Sequence, residues 1–158
     1  MIRKCSRADE EAIFRIINES AKAYRGVIAT DRYHEPYMPL SELRDEMREV
    51  TFFGYEEQGI LLGVVGHQPV KDVTLVRHLY VLPGHQRKGI GGELLDQVMR
   101  MATTSRVFVG TWEAAEWAVR FYEKHGFKLL PKKDVLLKTY WHVPDRQVEL
   151  SVVLGIDR

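Results

Sequence analysis

The residues best placed to do chemistry lie in one short stretch. Gln86, Arg87, Lys88, Gly89, Ile90, Gly91 and Gly92 follow the apolar run Leu79–Tyr80–Val81–Leu82–Pro83 and lead into Glu93–Leu94–Leu95. A strand, a basic glycine-rich turn and a helix start therefore stand in direct succession. A helix N-terminus leaves its first N–H groups unpaired and carries partial positive charge, so phosphate oxygens satisfy both at once. Gly89, Gly91 and Gly92 let a ligand approach the main chain, and Arg87 and Lys88 add charge beside it. The same residues also fit a surface turn with basic side chains.

Two familiar phosphate motifs fail on these residues. Gly84 and Gly89 are followed by Ile90 rather than Lys-Ser/Thr, and Leu94 stands where a dinucleotide fingerprint needs glycine. The block Gln86–Arg87–Lys88–Gly89–Ile90–Gly91 instead resembles the Q/R-x-x-G-x-G/A signature of the GNAT acetyltransferase superfamily. Leu79, Val81 and Pro83 fit that family's lead-in. Further along, Ala118–Val119–Arg120–Phe121–Tyr122–Glu123–Lys124–His125–Gly126–Phe127 is similar to the family's A-x-x-[LF]-Y-E-K-x-G-F segment. Two ordered blocks arise by chance far less readily than one. The likeness is close over residues 74–130 and follows by pattern elsewhere.

The resemblance implies a site for acetyl-coenzyme A on Leu79, Tyr80, Val81, Gln86, Arg87, Lys88, Gly89, Ile90, Gly91, Gly92 and Tyr122. It implies that Tyr122 sits near the coenzyme sulfur as a proton donor and that the main-chain N–H of Val81 faces the thioester oxygen. One departure stands out: Ala115 occupies the place where members often carry an asparagine that bonds the pantetheine arm. Without the motif, Tyr122 reads as a core tyrosine on an inner helix face.

Acetyl transfer to an amine also needs a neutral nucleophile, because a lysine-like amine of pKa near ~10.4 is almost wholly protonated at neutral pH. His78, Glu113, His34 and Glu35 are the candidate bases. His78 interrupts an apolar strand and titrates near neutrality, which makes it the first choice; it also suits a hydrogen-bonded structural role. The loop of residues 31–38 mixes aromatics and charges, and the resemblance places such a loop over the acceptor, so Tyr33, His34, Glu35, Trp112 and Glu113 are candidate substrate contacts. Tyr140, Trp141 and His142 suit the same pocket or a subunit contact.

Composition narrows the class. With 158 residues, 45% hydrophobic and 28% charged, the chain has the make-up of one ordinary globular domain. No run reaches the ~20 apolar residues of a membrane-spanning helix, and the first residues lead into polar ones, so a cytoplasmic protein is expected. The single cysteine, Cys5, excludes an intrachain disulfide and a cysteine-based zinc site, and the histidines lack ligand spacing, so no metal is expected. A net charge of +1 gives no general attraction to nucleic acid or to an anionic membrane.

The positioning elements follow from periodicity. Ser6 and Asp9 form a capping-box start, and Ala12, Ile13, Ile16, Ile17 and Ala21 recur at helical spacing over residues 6–24. A second helix is expected over 39–50, with Leu40, Leu43 and Met47 on one side. Strands are expected at 51–55, 60–67 and 73–82, then a helix after the glycines carrying Ile90, Leu94, Leu95 and Val98 on its inner face. A strand at 107–112 and a helix at 114–125, ended by Gly126, come next. A short strand, a helical turn near 132–138 and a final strand at 147–154 complete the tail.

The strand–helix–strand unit forces a right-handed crossover and a parallel pair. The fold class is α/β (α+β): a mixed, mostly antiparallel sheet of about seven strands with that parallel centre, flanked by about four helices. The family's usual splay between the fourth and fifth strands would put the thioester between Leu79–Val81 and Tyr122. The expected function is direct acetyl transfer from acetyl-coenzyme A to a primary amine of a small molecule or peptide. A non-catalytic acyl-coenzyme A sensor is the alternative. The resemblance also implies a homodimer as a common assembly.

Overall fold

Ser6 opens the first helical segment as its sequence predicts. Its hydroxyl accepts from Ala8 N–H, and Asp9 Oδ2 accepts from Ser6 N–H, which closes the capping box. The computed structural model describes residues 1–158. Strand β1 (Ile2–Lys4) precedes this cap, helix α1 (Glu10–Ala21) follows it, and a 3-10 turn (Lys22–Tyr24) ends the segment. Helix α2 (Leu40–Glu49) leads into strands β2 (Thr51–Glu57), β3 (Ile60–Val70) and β4 (Val73–Val81). Then come α3 (Ile90–Met101), β5 (Arg106–Trp112), α4 (Glu116–Lys124), β6 (Lys128–Leu129), α5 (Lys133–Tyr140), α6 (Asp145–Leu150) and β7 (Ser151–Asp157).

The seven strands form one sheet in the order β1-β2-β3-β4-β5-β7-β6. Every pair is antiparallel except β4 with β5, the pair that α3 connects. The inner faces of α1 and α3 supply much of the core: Ile13, Ile16 and Ile17 from one, Leu94, Leu95 and Val98 from the other, all sealed from solvent. Each such side chain contributes on the order of 1.5–3 kcal/mol.

Face assignment follows from side-chain parity. On β3, a side chain at Gly63 would meet Leu94 and Ile90 of α3, whereas one at Gly66 would meet Val50 at the end of α2. Leu75 packs with Phe108 and Leu137 of α5, and Arg77, on the same face as Leu75, reaches Glu46 of α2. Thus α3 covers one face while α2 and α5 cover the other. Phe121 and His125 of α4 lie against Gly91 and Gly92 on the α3 side.

The parallel pairing lasts only from Val73–Arg106 to Val76–Val109. Beyond it, β4 carries a bulge: Val64 pairs with Tyr80 and Gly66 with Arg77, so His78 and Leu79 together oppose Val65. His78 takes the left-handed φ of 51°. Bulges of this kind bend the strand and increase its twist. β5 meanwhile stays paired with β7 through Trp112. The two strands therefore separate, and a gap opens between Arg77–Tyr80 and Gly110–Trp112.

The tail differs from expectation in one place. Residues 147–150, expected as the beginning of the last strand, form α6, and the chain has six α-helices rather than about four. Pro144 is extended at the N-cap, Asp145 occupies the first turn, and Val148 is buried in the cluster that contains Leu137 of α5. The alternation of Val148 and Leu150 mimics a strand, but packing on α5 decides the local structure.

Candidate active site

The gap between β4 and β5 is the floor of a cleft of about 500 Å³. Tyr24, the loop residues Asp31, Arg32, His34 and Tyr37, and Glu42 and Glu46 of α2 wall it on one side; Trp141, His142 and Gln147 wall it on another. Tyr122 and Ala118 of α4 reach it from the opposite face of the sheet. The cleft therefore runs through the sheet at the splay.

Main-chain geometry orients one donor into this gap. Leu82 N–H bonds Leu62 O on β3, and antiparallel pairing alternates, so the main-chain groups of Val81 point the other way, toward β5. No β5 residue pairs with Val81 there. Its carbonyl is taken by Ser20 Oγ and Gln86 Nε2, each at 3.0 Å, which leaves the N–H as the group free to meet a ligand.

Tyr122 is the buried residue of α4. Its ring packs edge-on against Phe121 at 5.2 Å and Phe127 at 5.7 Å between centroids, and its hydroxyl makes no hydrogen bond within the protein. Burial, with the neighbouring Tyr24, pushes its pKa above the ordinary tyrosine value. The phenol is a donor that keeps its proton.

The loop after β4 shows the anion geometry. From Gln86 to Gly92 no main-chain N–H makes a hydrogen bond within the protein, and the α3 N-terminus has no side-chain cap. Gly89 is the N-cap at φ 84° with open space where a side chain would be, and Arg87 is left-handed at φ 65°. Gly91 and Gly92 play a different part from Gly89. A Cβ at Gly91 would sit 3.3 Å from Phe121, and one at Gly92 would sit 3.0 Å from His125, so these glycines seat α3 against α4. Gln86, Arg87 and Lys88 are exposed, while Ile90 is buried beneath them.

His78 is bound to a carboxylate. Glu46 Oε1 lies 2.7 Å from His78 Nε2 and 2.9 Å from Arg77 Nη2. Burial lowers the His78 pKa below the usual imidazole value, against the opposing pull of Glu46. Burial also works to raise Glu46, but the His78 bond and the charge of Arg77 outweigh it, and the carboxyl stays ionised. His78 is thus a neutral imidazole whose Nε2–H donates to Glu46, leaving Nδ1 as a lone-pair acceptor with no protein partner. The ring stacks on Phe52 at 5.8 Å.

The other sequence-derived candidates divide. His34 and Trp112 line the cleft, with Leu79 and Tyr80. Trp112 Nε1 donates to Tyr37 Oη at 2.7 Å and His34 Nδ1 meets Pro36 O. Tyr33 and Glu35 do not line it: Tyr33 donates to Glu35 at 2.6 Å, and Arg25 pairs with the same carboxylate, outside the cleft. Glu113 likewise does not line it, and its N–H is bonded to Leu150 O. Tyr140 is held by Asp72, while Trp141 and His142 do reach the cleft. Ala115 is fully buried as the N-cap of α4, beside Tyr24 and Trp112. Cys5 is a core residue whose thiol burial pushes up to about 12, consistent with a small apolar side chain.

Glu42, Glu46 and Tyr24 escaped the sequence reading, whereas Tyr37 belongs to the loop that it singled out. The available signal was the i, i+4 pair Glu42 and Glu46, opposite Leu40, Leu43 and Met47 on α2. Such a pair ordinarily marks a solvated face.

Residues 48–129, just over half of the chain, match the family described as "Acetyltransferase (GNAT) domain". The chain belongs to the GNAT acetyltransferase family. The matched GNAT segment contains the bulge, the loop with its free N–H groups and Tyr122. A second relative is the UPF0157 protein YqkA of Bacillus subtilis (strain 168), 31% identical over 104 residues; the match covers 63% of this chain but only 30% of YqkA. The GNAT fold extends over the whole chain. The PaiA N-acetyltransferase from Thermoplasma acidophilum, in complex with coenzyme A, superposes with a TM-score of 0.73 at 19% identity, covering 100% of this chain and 98% of that one. A GNAT-family acetyltransferase from Staphylococcus aureus Mu50 gives 0.75 at 18% identity, with 99% and 98% covered. Rv2747 from Mycobacterium tuberculosis, in complex with CoA and NLQ, gives 0.69 at 20% identity, with 100% and 99% covered.

Proposed function

We propose that this protein is an acetyl-coenzyme A-dependent N-acetyltransferase that acts on the primary amine of a small-molecule or peptide acceptor by direct transfer. The observation that carries this reading is the unpaired run of N–H groups from Gln86 to Gly92, placed beside a sheet opening that ends at the Tyr122 hydroxyl. Phosphates suit the first feature, and a thioester suits the second. Coenzyme-bound relatives of the same fold support the ligand's identity.

The residues fit a defined division of labour. Arg87, Lys88 and the N–H groups around Gly89, Ile90, Gly91 and Gly92 hold the pyrophosphate, and the open face of β4 at Leu79, Tyr80 and Val81 receives the pantetheine arm. The Val81 N–H meets the thioester oxygen, where charge develops as the carbonyl becomes tetrahedral. The acceptor nitrogen enters from the side of Glu42 and His34 and forms the C–N bond, and the C–S bond then breaks. An ammonium gives up two protons in this exchange: one reaches sulfur through Tyr122, the other leaves to solvent through His78 Nδ1. Glu46 is a positioning residue that fixes the His78 tautomer.

The test is thiol release from acetyl-coenzyme A across a panel of polyamines, amino acids and peptide N-termini, with mass spectrometry of the product. Amine-dependent release with an acetylated amine supports transfer. Tight coenzyme binding with no release from any amine would favour the sensor reading.

A further inference from the structure

One residue of the cleft wall, Tyr24, has no part in the chemistry above. Tyr24, delivered by the 3-10 turn at the end of α1, is only 8% exposed and lines the cleft beside Tyr122. Its ring is gripped from two sides: Tyr37 lies 5.2 Å away, tilted by 52°, and Trp117 of α4 stacks at 6.0 Å and 26°. Its hydroxyl oxygen is 3.4 Å from that of Tyr80. The contact with Trp117 is notable because α1 and α4 lie on opposite faces of the sheet; the two rings meet across the mouth of the splay.

This arrangement constrains whatever is attached to the thioester carbon. With the oxygen at the Val81 N–H and the sulfur at Tyr122, the first methylenes of the acyl chain lie beside Tyr24, the cleft residue that neighbours Tyr122 and touches Tyr80. We propose that Tyr24 is the stop that limits acyl length at this site, so that acetyl fits and longer straight chains meet its ring. This rests on the coenzyme reading given above. Trp117 and Tyr37 act by holding the ring, since a side chain free to swing would yield to a longer acyl group. Ala115, buried in the same cluster, gives the ring its close seat against the start of α4.

Calorimetric titration of free coenzyme A, acetyl-coenzyme A and butyryl-coenzyme A tests this without an acceptor. The wild type should bind butyryl-coenzyme A about tenfold or more weakly than acetyl-coenzyme A, the order set by misplaced methylenes in a rigid pocket. Tyr24→Ala should bring the two affinities together while free coenzyme A binds as before, which also reports that the variant is folded. Tyr24→Phe keeps the ring and should keep the discrimination. Trp117→Ala, at a residue 46% exposed, should relax it partway by freeing the ring. Equal wild-type affinities for the two acyl forms, or discrimination unchanged in Tyr24→Ala, would overturn the role of Tyr24. Free coenzyme A failing to bind the wild type would overturn the coenzyme reading itself, and Tyr24's role with it.

Discussion

Glu46 Oε1 lies 2.7 Å from His78 Nε2, and this contact decides which ring nitrogen is available for chemistry. An ionised carboxylate, held so by the His78 bond and by Arg77, can only accept, so Nε2 carries the hydrogen and Nδ1 keeps the free lone pair that the proposed reaction uses. The sequence places these residues far apart, and the bulge in β4 brings them together by turning His78 out of the regular strand.

A pH dependence follows from the lowered His78 pKa. An imidazole whose folded value lies below its unfolded value of about 6.5 contributes stability that is fully present above that pH. The contribution is lost as pH falls toward the folded value, because the unfolded chain binds the proton first. Thermal midpoints of the wild type should therefore drop between about pH 7 and 5 more steeply than those of His78→Gln. In the assay, the acid limb of kcat/KM should reflect a group titrating below ~6.5 and should vanish in His78→Gln. A variant whose acid limb matches that of the wild type would remove His78 from the mechanism.

Tyr122→Phe deletes one oxygen while leaving the ring between Phe121 and Phe127. Its effect should be confined to turnover: kcat down by about 10²-fold, with coenzyme affinity changed by less than about threefold. A variant with wild-type kcat would make Tyr122 a packing residue, the role its burial suggests in the absence of the motif.

Gly66 offers a test of how closely α2 must sit on the bulge. A Cβ there would lie 2.5 Å from Val50 Cγ1 at the end of α2 and 3.0 Å from Arg77 O, which the pairing of Gly66 with Arg77 holds in place. Gly66→Ala should cost roughly 1–3 kcal/mol on chemical denaturation and should disturb the Glu46–His78 pair. An unchanged denaturation midpoint would mean that α2 yields freely.

The turn proposed to hold the coenzyme was legible in the sequence because it is local: the strand, the turn from Gln86 to Gly89 and the opening of α3 are consecutive residues, and its unpaired main-chain N–H groups follow from that succession. Gly126, left-handed at φ 94°, also ended its helix as expected. The acceptor half was legible only in part. Tyr33, Glu35 and Glu113 were placed there by the loop's make-up, the family likeness and the end of a strand, none of which fixes where a side chain turns; Tyr33 and Glu35 turn to each other and to Arg25. Glu42 and Glu46 carried the pattern of a solvated helix face, and only the bulge at His78 makes that face an inner wall. Residues 147–150 show the same limit, since alternation in four residues does not separate a strand from a helix that packs on one neighbour.

The most direct test of the account is calorimetric titration of acetyl-coenzyme A into the wild type and into the Arg87→Glu, Lys88→Glu double variant. Both positions are exposed and free of core contacts, so the fold should be unaffected. The wild type should show saturable one-site binding and the variant an affinity at least about tenfold lower, with the difference shrinking as salt rises. No binding to the folded wild type, or equal affinity in both proteins, would contradict a coenzyme pyrophosphate at the start of α3.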